Sequence, residues 1–195
     1  MLEILTVESN SIAEELGVQP GDLLLSINGE PVDDLLDYLV EESNELLQVE
    51  IERSGGELLE LDIEHDSDEP LGLGLPHPDP KQCGNNCLFC FVHQLPRGMR
   101  RTLYVKDEDY RFSYLYGAYV TLTNLSEADL QRILKKHLSP LYVSVHATDN
   151  ELRQKLLGKR AQDVMPLLRR LVDGGIEIHT QVVVCPGIND GEHLA

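Results

Sequence analysis

The sequence predicts an α/β protein of two modules, a small β-rich module over residues 1–70 and a module of alternating strands and helices over residues 71–195. Three observations predict this division. Apolar residues make up 42% of the 195 residues, which is enough to bury a core. Residues 1–70 hold 21 of the 34 acidic residues and only one of the 16 basic ones. The apolar pattern also changes along the chain, from short strands between turn residues to strands separated by helices.

The net charge of −18 lies almost entirely in the first module. A phosphate backbone needs lysine and arginine to replace its counterions, so nucleic acid is not expected as a partner of that module. The chain contains no apolar run near the ~20 residues that span a bilayer. Its first residues also lack the basic start of an export signal. We therefore expect a cytoplasmic protein with no membrane contact.

Turn residues separate the elements predicted in the first module. Gly17 ends the first helix, Pro20 and Gly21 form a turn, and Asn28-Gly29 is a hairpin signal. From the amino terminus, the pattern predicts a strand over 2–7, a helix over 11–16, a strand over 23–27, a helix over 33–47, and strands over 48–53 and 57–63.

The order of these elements, with the segments LGVQPGD (16–22) and INGEPV (27–32), resembles a bacterial PDZ domain. PDZ domains bind extended peptides, often C-termini, by adding a strand to a sheet edge. The resemblance therefore implies a peptide or a protein C-terminus as partner. The carboxylate-binding loop that should precede the first strand is missing there. Residues 71–75 (LGLGL) are either that loop, displaced as in a circular permutation, or the connector or first strand of the next module.

Three of the four cysteines, Cys83, Cys87 and Cys90, lie within eight positions in a C-x3-C-x2-C pattern. In a chain without an export signal, this crowding indicates metal binding rather than disulfides. Two solutions fit. A structural zinc site needs four ligands, and His77 or His93 could supply the fourth. An iron–sulfur cube held by three cysteines leaves one iron open to a ligand that is not protein.

With Phe89 directly before Cys90, the pattern C-x3-C-x-aromatic-C resembles the cluster loop of the radical S-adenosylmethionine (radical SAM) superfamily. The resemblance implies that Cys83, Cys87 and Cys90 ligate a [4Fe–4S] cluster and that Phe89 lies beside the adenine of S-adenosyl-L-methionine. It also implies reductive cleavage of that cofactor to a 5′-deoxyadenosyl radical, with an electron donor such as flavodoxin or ferredoxin. The cofactor carries this chemistry, and the protein positions and shields it.

The second module alternates strands with helices, which predicts parallel βαβ units and part of a (β/α) TIM-type barrel. Such barrels place their chemistry at the carboxyl ends of the strands. The pattern predicts strands over 118–123, 141–146 and 176–184, and helices over 126–138, 150–157 and 161–172.

One face of each predicted strand carries polar residues, where a purely packed barrel would carry branched apolar ones. This fits a lumen that holds a cofactor and a substrate. Thr123 and Asn124 stand where many radical SAM enzymes carry a Gly-Gly-Glu motif for the SAM amino group. The further candidates on this face are Ser144 and Gln181 for cofactor binding, and His146 and His179 as acid–base groups or structural histidines.

Three other features have two interpretations each. The acidic run 107–109 either binds a cation or lies in a solvated turn, and we expect the turn. Cys185 is either an extra cluster ligand or thiol hydrogen donor, or a buried filler, which we expect. The basic stretch from Arg97 to Arg111 either contacts a phosphate or RNA substrate or pairs with nearby acids, and we expect the pairing.

Residues 184–190 are similar to a Pro-Gly-x-Asn-Asp turn found in several radical SAM enzymes. Together with 87–100, 106–111, 122–126 and 144–149, they resemble the bacterial PDZ-plus-radical-SAM iron–sulfur oxidoreductases labelled DUF512, a family without an established reaction. The sequence reaches only the fourth strand of that family's barrel. We therefore expect a chain truncated at its C-terminus that cannot form the full cavity.

Two functions follow from these residues. The first is a radical SAM enzyme of unknown substrate whose PDZ-like module recruits a peptide or protein. The alternative is a non-catalytic PDZ-like binding protein, in which the cysteine loop holds a structural or electron-transfer metal.

Overall fold

The computed structural model describes residues 1–66 and 69–194 of this mixed α/β protein. The chain divides into two compact units, Met1–Asp79 and Pro80–Ala195. The first unit extends past residue 70 because a short strand at 73–74 pairs within it.

The first unit is a small antiparallel β structure with two short helices. Its main sheet has the strand order β1-β3-β5-β6, with β4 also paired to β3, and a second sheet consists of β2 and β7. The elements are β1 (Leu2–Glu3), β2 (Thr6–Val7), α1 (Ile12–Glu15), β3 (Leu23–Ile27), β4 (Glu30–Pro31), α2 (Leu35–Glu42), β5 (Leu46–Glu52), β6 (Leu58–Glu64) and β7 (Leu73–Gly74).

Alternating apolar residues build the core of this unit. In β5 the side chains of Leu47, Val49 and Ile51 are buried, whereas their neighbours face outward. The predicted strand over 2–7 is divided in two, because β1 pairs with β3 whereas β2 pairs with β7.

The predicted helix over 33–47 is wrong beyond residue 42. Asp34 caps the start of α2 by accepting the backbone N–H groups of Leu36 and Asp37. At the other end, the amide of Asn44 donates to the Glu41 carbonyl over 2.8 Å, and the chain turns. Residues 46–47 then begin β5, where the apolar pattern suits a strand as well as it suits a helix.

Residues 71–75 belong to the first unit. Strand β7 pairs antiparallel with β2, in the register Thr6↔Gly74. Leu71 and Leu75 are buried in the core, and the Leu71 carbonyl accepts the N–H of Ala13 over 3.0 Å. In the structure this segment therefore pairs and packs within the first unit, whereas its function as a displaced loop or as a connector stays a prediction.

Through residue 194, the structure describes five α-helices and one parallel strand pair in the second unit. Strands β8 and β9 pair in the register Leu141↔Ile178 through Ser144↔Gln181. The elements are α3 (Phe91–Gln94), α4 (Tyr110–Tyr116), α5 (Glu127–Lys135), β8 (Leu141–Ser144), α6 (Asn150–Leu157), α7 (Met165–Asp173) and β9 (Ile178–Gln181), with 3-10 turns at Arg101–Tyr104 and Gly191–Leu194.

The expected strand over 118–123 is reduced to one parallel bridge, between Val120 and Val143. Within residues 1–66 and 69–194, no sheet closes on itself, so the observed architecture is α/β with one parallel strand pair rather than a demonstrated barrel. Among the described helices, none is long and apolar enough to cross a bilayer.

Local sequence signals account for the helices of this unit. Ser126 and Asp129 form a reciprocal capping box at the start of α5. Helix α6 has its predicted bounds. Helix α7 begins at Met165 rather than at residue 161, with Pro166 in its first turn, where proline is favoured.

We predict that Gly72→Ala destabilises the protein more than Gly29→Ala. Both glycines have a positive φ, which costs about 1–2 kcal/mol in any other residue. A Cβ at Gly72 would in addition overlap the Ser11 side chain, whereas a Cβ at Gly29 meets open space. Urea unfolding of the two variants, followed by circular dichroism, should show a further loss of about 1–3 kcal/mol at Gly72. Equal losses of unfolding free energy in the two variants would contradict the close approach of Gly72 to the Ser11 side chain.

Candidate functional site

A cavity of about 560 Å³ opens at the carboxyl ends of β8 and β9 in the second unit. All three cysteines of the predicted loop face it. Its other walls come from both strands and from the segment before α4. The lining residues used below are Cys83, Cys87, Cys90, Phe89, Glu108, Thr121, Ser144, His146, Gln181 and Val183.

Backbone hydrogen bonds attach the cysteine loop to the end of α6. The N–H groups of Asn86 and Leu88 donate to the carbonyls of Leu157 and Leu156, each over 2.9 Å. The side-chain amide of Asn85, itself buried, donates to the Thr121 hydroxyl over 2.8 Å. The loop is therefore held against the wall of the cavity rather than against solvent.

The three thiols are half-buried and close enough to influence one another. Burial raises the pKa of Cys83, and burial together with the neighbouring Cys83 and Cys90 raises the pKa of Cys87 to about 11. Because each thiolate disfavours the next, the ionised set needs a cation to stabilise it. In the part of the chain that the structure describes, no three His, Cys, Asp or Glu side chains are already close enough to hold a metal ion.

The donor set fits an iron–sulfur cluster better than a closed zinc site. Three soft thiols line one cavity, which is the ligand count of a cluster with one open iron. His93, a candidate fourth zinc ligand, lies with its Nε2 atom 3.4 Å from the Lys106 ammonium. Lys106 also donates to the Asn85 carbonyl and so places a positive charge beside the thiols.

Phe89 forms part of the cavity wall. Its ring meets the His146 ring edge-on, with the centroids 4.8 Å apart. Phe89 also packs on the apolar cluster of Ala147, Leu156, Leu157 and Ala161, together with Cys87 and Cys185. Cys185 is half-buried and packs against the same apolar cluster.

The acidic run at 107–109 is not a solvated turn, and that expectation is wrong. Glu108 and Asp109 are 3% and 0% exposed. The Glu108 carboxylate lines the cavity and accepts the backbone N–H of Thr121 over 2.5 Å and its hydroxyl over 2.9 Å. Burial raises the pKa of Glu108, although these hydrogen bonds oppose the shift. Asp109 pairs with Arg111 over 2.7 Å.

Thr123 and Asn124, the predicted holders of the SAM amino group, are not among the residues that line the cavity. The Thr123 hydroxyl lies 3.0 Å from that of Thr121, and the Asn124 amide donates to the Glu108 carbonyl over 2.8 Å. They support Thr121 and Glu108, which face the cavity. The sequence placed Thr121 on the polar face of a predicted strand but did not single it out, and it placed Glu108 in a run expected to be a solvated turn.

Ser144 and Gln181 lie side by side at the ends of β8 and β9 and face the cavity together. The Gln181 amide donates to the Ser144 hydroxyl over 3.0 Å. The period-two alternation of the two strands could identify both residues, because both strands are parallel and in register.

His146 has the geometry of a hydrogen-bond donor. Its Nδ1 accepts the backbone N–H of Val183 over 3.2 Å, so the ring proton is on Nε2. Burial, followed by the nearby charge of Arg153, lowers its pKa to about 4. The imidazole is therefore neutral at pH 7, and it can donate a hydrogen bond rather than take up a proton.

His179, the other acid–base candidate, does not line this cavity. Its ring is exposed and stacks on Tyr142 with a centroid distance of 4.8 Å. Its Nε2 atom lies 3.5 Å from a carboxylate oxygen of Glu177. These contacts place it apart from the cysteines.

The Asn189 side chain joins the ends of the two strands. It is 1% exposed and donates to the carbonyls of His146 and Val183 over 2.9 and 3.0 Å. Its Oδ1 accepts the N–H of Cys185 over 2.6 Å. The turn at 186–190 was identified from the sequence, and the structure adds that its asparagine holds His146 in position.

Arg153 is a further residue that sequence reasoning missed. This guanidinium is 1% exposed and donates to three backbone carbonyls, those of Thr121, Val145 and Gln162, over 2.6–3.1 Å. Nothing in the local sequence distinguishes it from an exposed arginine on a helix.

We predict that His146→Asn weakens the pH dependence of stability below neutrality. The pKa of His146 is about 4 in the folded protein and about 6.5 in the unfolded chain, so the unfolded state binds more protons between these values. The free energy of unfolding therefore falls as the pH drops from about 6.5 to 4. Asparagine tolerates the positive φ at this position without titrating.

Urea unfolding at pH 7 and at pH 4 measures this effect in both proteins. Between pH 7 and pH 4, the free energy of unfolding of the wild type should fall by up to about 3 kcal/mol more than that of the variant. Parallel losses would show that His146 does not carry the linkage.

Comparison with protein families finds two domain models that match different parts of the chain. A family model described as a Radical SAM-like domain matches residues 65–195. A family model for the PDZ domain matches residues 3–53. Comparison with curated proteins gives no match.

Proposed function

Because the chain belongs to the Radical SAM-like domain family, we propose that its second unit binds a [4Fe–4S] cluster and S-adenosyl-L-methionine in the cysteine-lined cavity. One observation carries this proposal. Cys83, Cys87 and Cys90 face a single cavity together with the polar ends of β8 and β9. In this proposal the three thiolates hold three irons of the cluster and leave the fourth open.

The bound pair would supply the one-electron chemistry that turns S-adenosyl-L-methionine into a source of the 5′-deoxyadenosyl radical. The residues of the chain bind and shield the pair. Phe89 provides an apolar wall, His146 offers its Nε2–H, and Ser144 and Gln181 offer a hydroxyl and an amide. The cavity is therefore lined by an apolar ring and by directed polar groups, with the Phe89 and His146 rings in contact.

Glu108 is the group that we propose for the cofactor's ammonium. Its carboxylate lines the cavity, is buried and is held in place by two hydrogen bonds from Thr121. A buried carboxylate needs a cationic partner to remain charged, and an ammonium group is such a partner. Glu108 thus takes the role that the sequence had suggested for Thr123 and Asn124.

The first unit is similar to PDZ domains over residues 3–53, and we propose that it binds an extended peptide. The short strand β7 has one edge paired with β2, and the amide of Leu71, just before β7, donates to Glu42 of α2. A peptide could add a strand beside such an edge. In this proposal the unit recruits the substrate or a partner protein for the second unit.

We predict that anaerobic reconstitution with iron and sulfide gives a brown protein. Replacement of Cys83, Cys87 or Cys90 by serine should abolish the cluster absorption and the bound iron, since each thiolate is a ligand. Cys185→Ser is the matched control and should retain both, because Cys185 packs with apolar side chains. Metal analysis and visible absorption measure the result.

Addition of S-adenosyl-L-methionine and a strong reductant should then yield 5′-deoxyadenosine. A colourless zinc protein, or a cluster that leaves S-adenosyl-L-methionine intact, would contradict the enzymatic proposal. Either result would favour the alternative, a binding protein with a structural or electron-transfer metal.

We predict that Glu108→Gln weakens binding of S-adenosyl-L-methionine to the reconstituted protein by about tenfold or more. The variant loses a charge-assisted hydrogen bond, which contributes about 1.5–3 kcal/mol. Equilibrium dialysis measures the affinity without turnover. The exposed Glu177→Gln variant should bind like the wild type, and equal affinity of all three proteins would assign the ammonium to another group.

A further inference from the structure

The backbone amide just before strand β7 faces helix α2, and a side chain of that helix already binds it. The N–H of Leu71 donates to Oε1 of Glu42 over 2.8 Å. Glu42 is the last residue of α2, whereas the β7 strand that follows Leu71 pairs with β2.

The Glu42 carboxylate is held as a bound anion would be. Its Oε1 accepts the Leu71 amide and also the hydroxyl of Tyr38. The Tyr38 side chain is buried, and burial, then the hydrogen bond with Glu42, raises its pKa above the ordinary value. Tyr38 therefore remains a proton donor to Glu42 throughout the physiological pH range.

These contacts are the ones that a bound peptide end would need. Proteins that bind a peptide by strand addition use the free amides of an edge strand, and a terminal carboxylate is captured by backbone N–H groups near glycine. Here the amide of Leu71, beside Gly72, has a carboxylate partner from its own chain. A second carboxylate would meet the negative charge of Glu42 at the same N–H.

We propose that Glu42 is an internal carboxylate that occupies the backbone amide of Leu71, just before β7, so that the first unit rejects peptides with a free C-terminal carboxylate while Glu42 is in place. This inference rests on the proposed peptide-binding function of the unit. It makes Glu42 a determinant of specificity, in favour of extended segments that do not end beside Leu71.

The placement of β7 does not depend on Glu42. On its other side the carbonyls of Gly72 and Gly74 accept the N–H groups of Glu8 and Leu5 over 2.9 and 2.8 Å. The Leu71 carbonyl accepts the N–H of Ala13, and the side chain of Leu71 is buried. Removal of the Glu42 side chain should therefore free the Leu71 amide and leave the strand in position.

Two readouts on the full chain test the inference. The first is hydrogen exchange. The Leu71 amide should exchange faster in Glu42→Ala than in the wild type, whereas the amide of Ala13, which donates to the Leu71 carbonyl, should be unchanged. Glu45→Ala, which removes an exposed carboxylate just beyond α2, is the matched control and should leave both amides protected.

The second readout is binding of two fluorescent pools of short peptides with apolar last residues, one with a free C-terminal carboxylate and one with a C-terminal amide. The wild type and Glu45→Ala should show no preference for the free acids. Glu42→Ala should bind the free acids at least about tenfold more tightly than the amides, the gain expected of a charge-assisted hydrogen bond.

Four results would overturn the inference, and one of them also overturns the function on which it rests. The inference alone is wrong if the wild type prefers free acids, or if Glu42→Ala binds the amide pool without gaining that preference. Unchanged protection of the Leu71 amide in Glu42→Ala also contradicts it. If neither pool binds any of the three proteins, the proposed peptide-binding function fails, and the inference fails with it.

Discussion

The second unit depends on one buried cation, the guanidinium of Arg153. Burial of a charge is costly unless hydrogen bonds replace its hydration, and here three backbone carbonyls do so. These carbonyls belong to Thr121, Val145 and Gln162, which lie before α5, after β8 and before α7. Burial lowers the pKa of Arg153, yet a guanidinium stays protonated in proteins. Arg153 thus connects three segments into one wall, although β8 and β9 are the only paired strands of this unit within the described residues 80–194.

The segments that Arg153 connects also position the groups that line the cavity. Thr121 offers its carbonyl to Arg153, its hydroxyl to Asn85 of the cysteine loop, and its amide to Glu108. Val145 precedes His146, whose carbonyl is held in turn by Asn189. The thiols, the buried carboxylate and the neutral imidazole consequently share one structural support. A substitution of Thr121 would therefore alter the positions of these groups, because Thr121 hydrogen-bonds to the cysteine loop, to Glu108 and to Arg153.

The sequence predicted the parts of this site that local patterns encode. The bounds of β3 and α6, and the alternation that places Ser144 and Gln181 on one face, agree with the structure. It could not identify Glu108, because a carboxylate within an acidic run is typical of a surface until tertiary packing buries it. Helix α4 was also missed, since its aromatic residues have only moderate helix propensity. The burial of Glu108 and the formation of α4 both depend on packing against segments distant in the sequence, which local patterns do not encode.

In the proposed function, the cysteine loop and the ends of β8 and β9 form one cofactor site. Electron paramagnetic resonance of the reconstituted, reduced protein tests it most directly, because the spectrum reports on the iron that the three cysteines leave open. If the loop and the strand ends form one site, the spectrum should show one [4Fe–4S] cluster whose g-values change when S-adenosyl-L-methionine is added. A spectrum that is identical with and without S-adenosyl-L-methionine would contradict it.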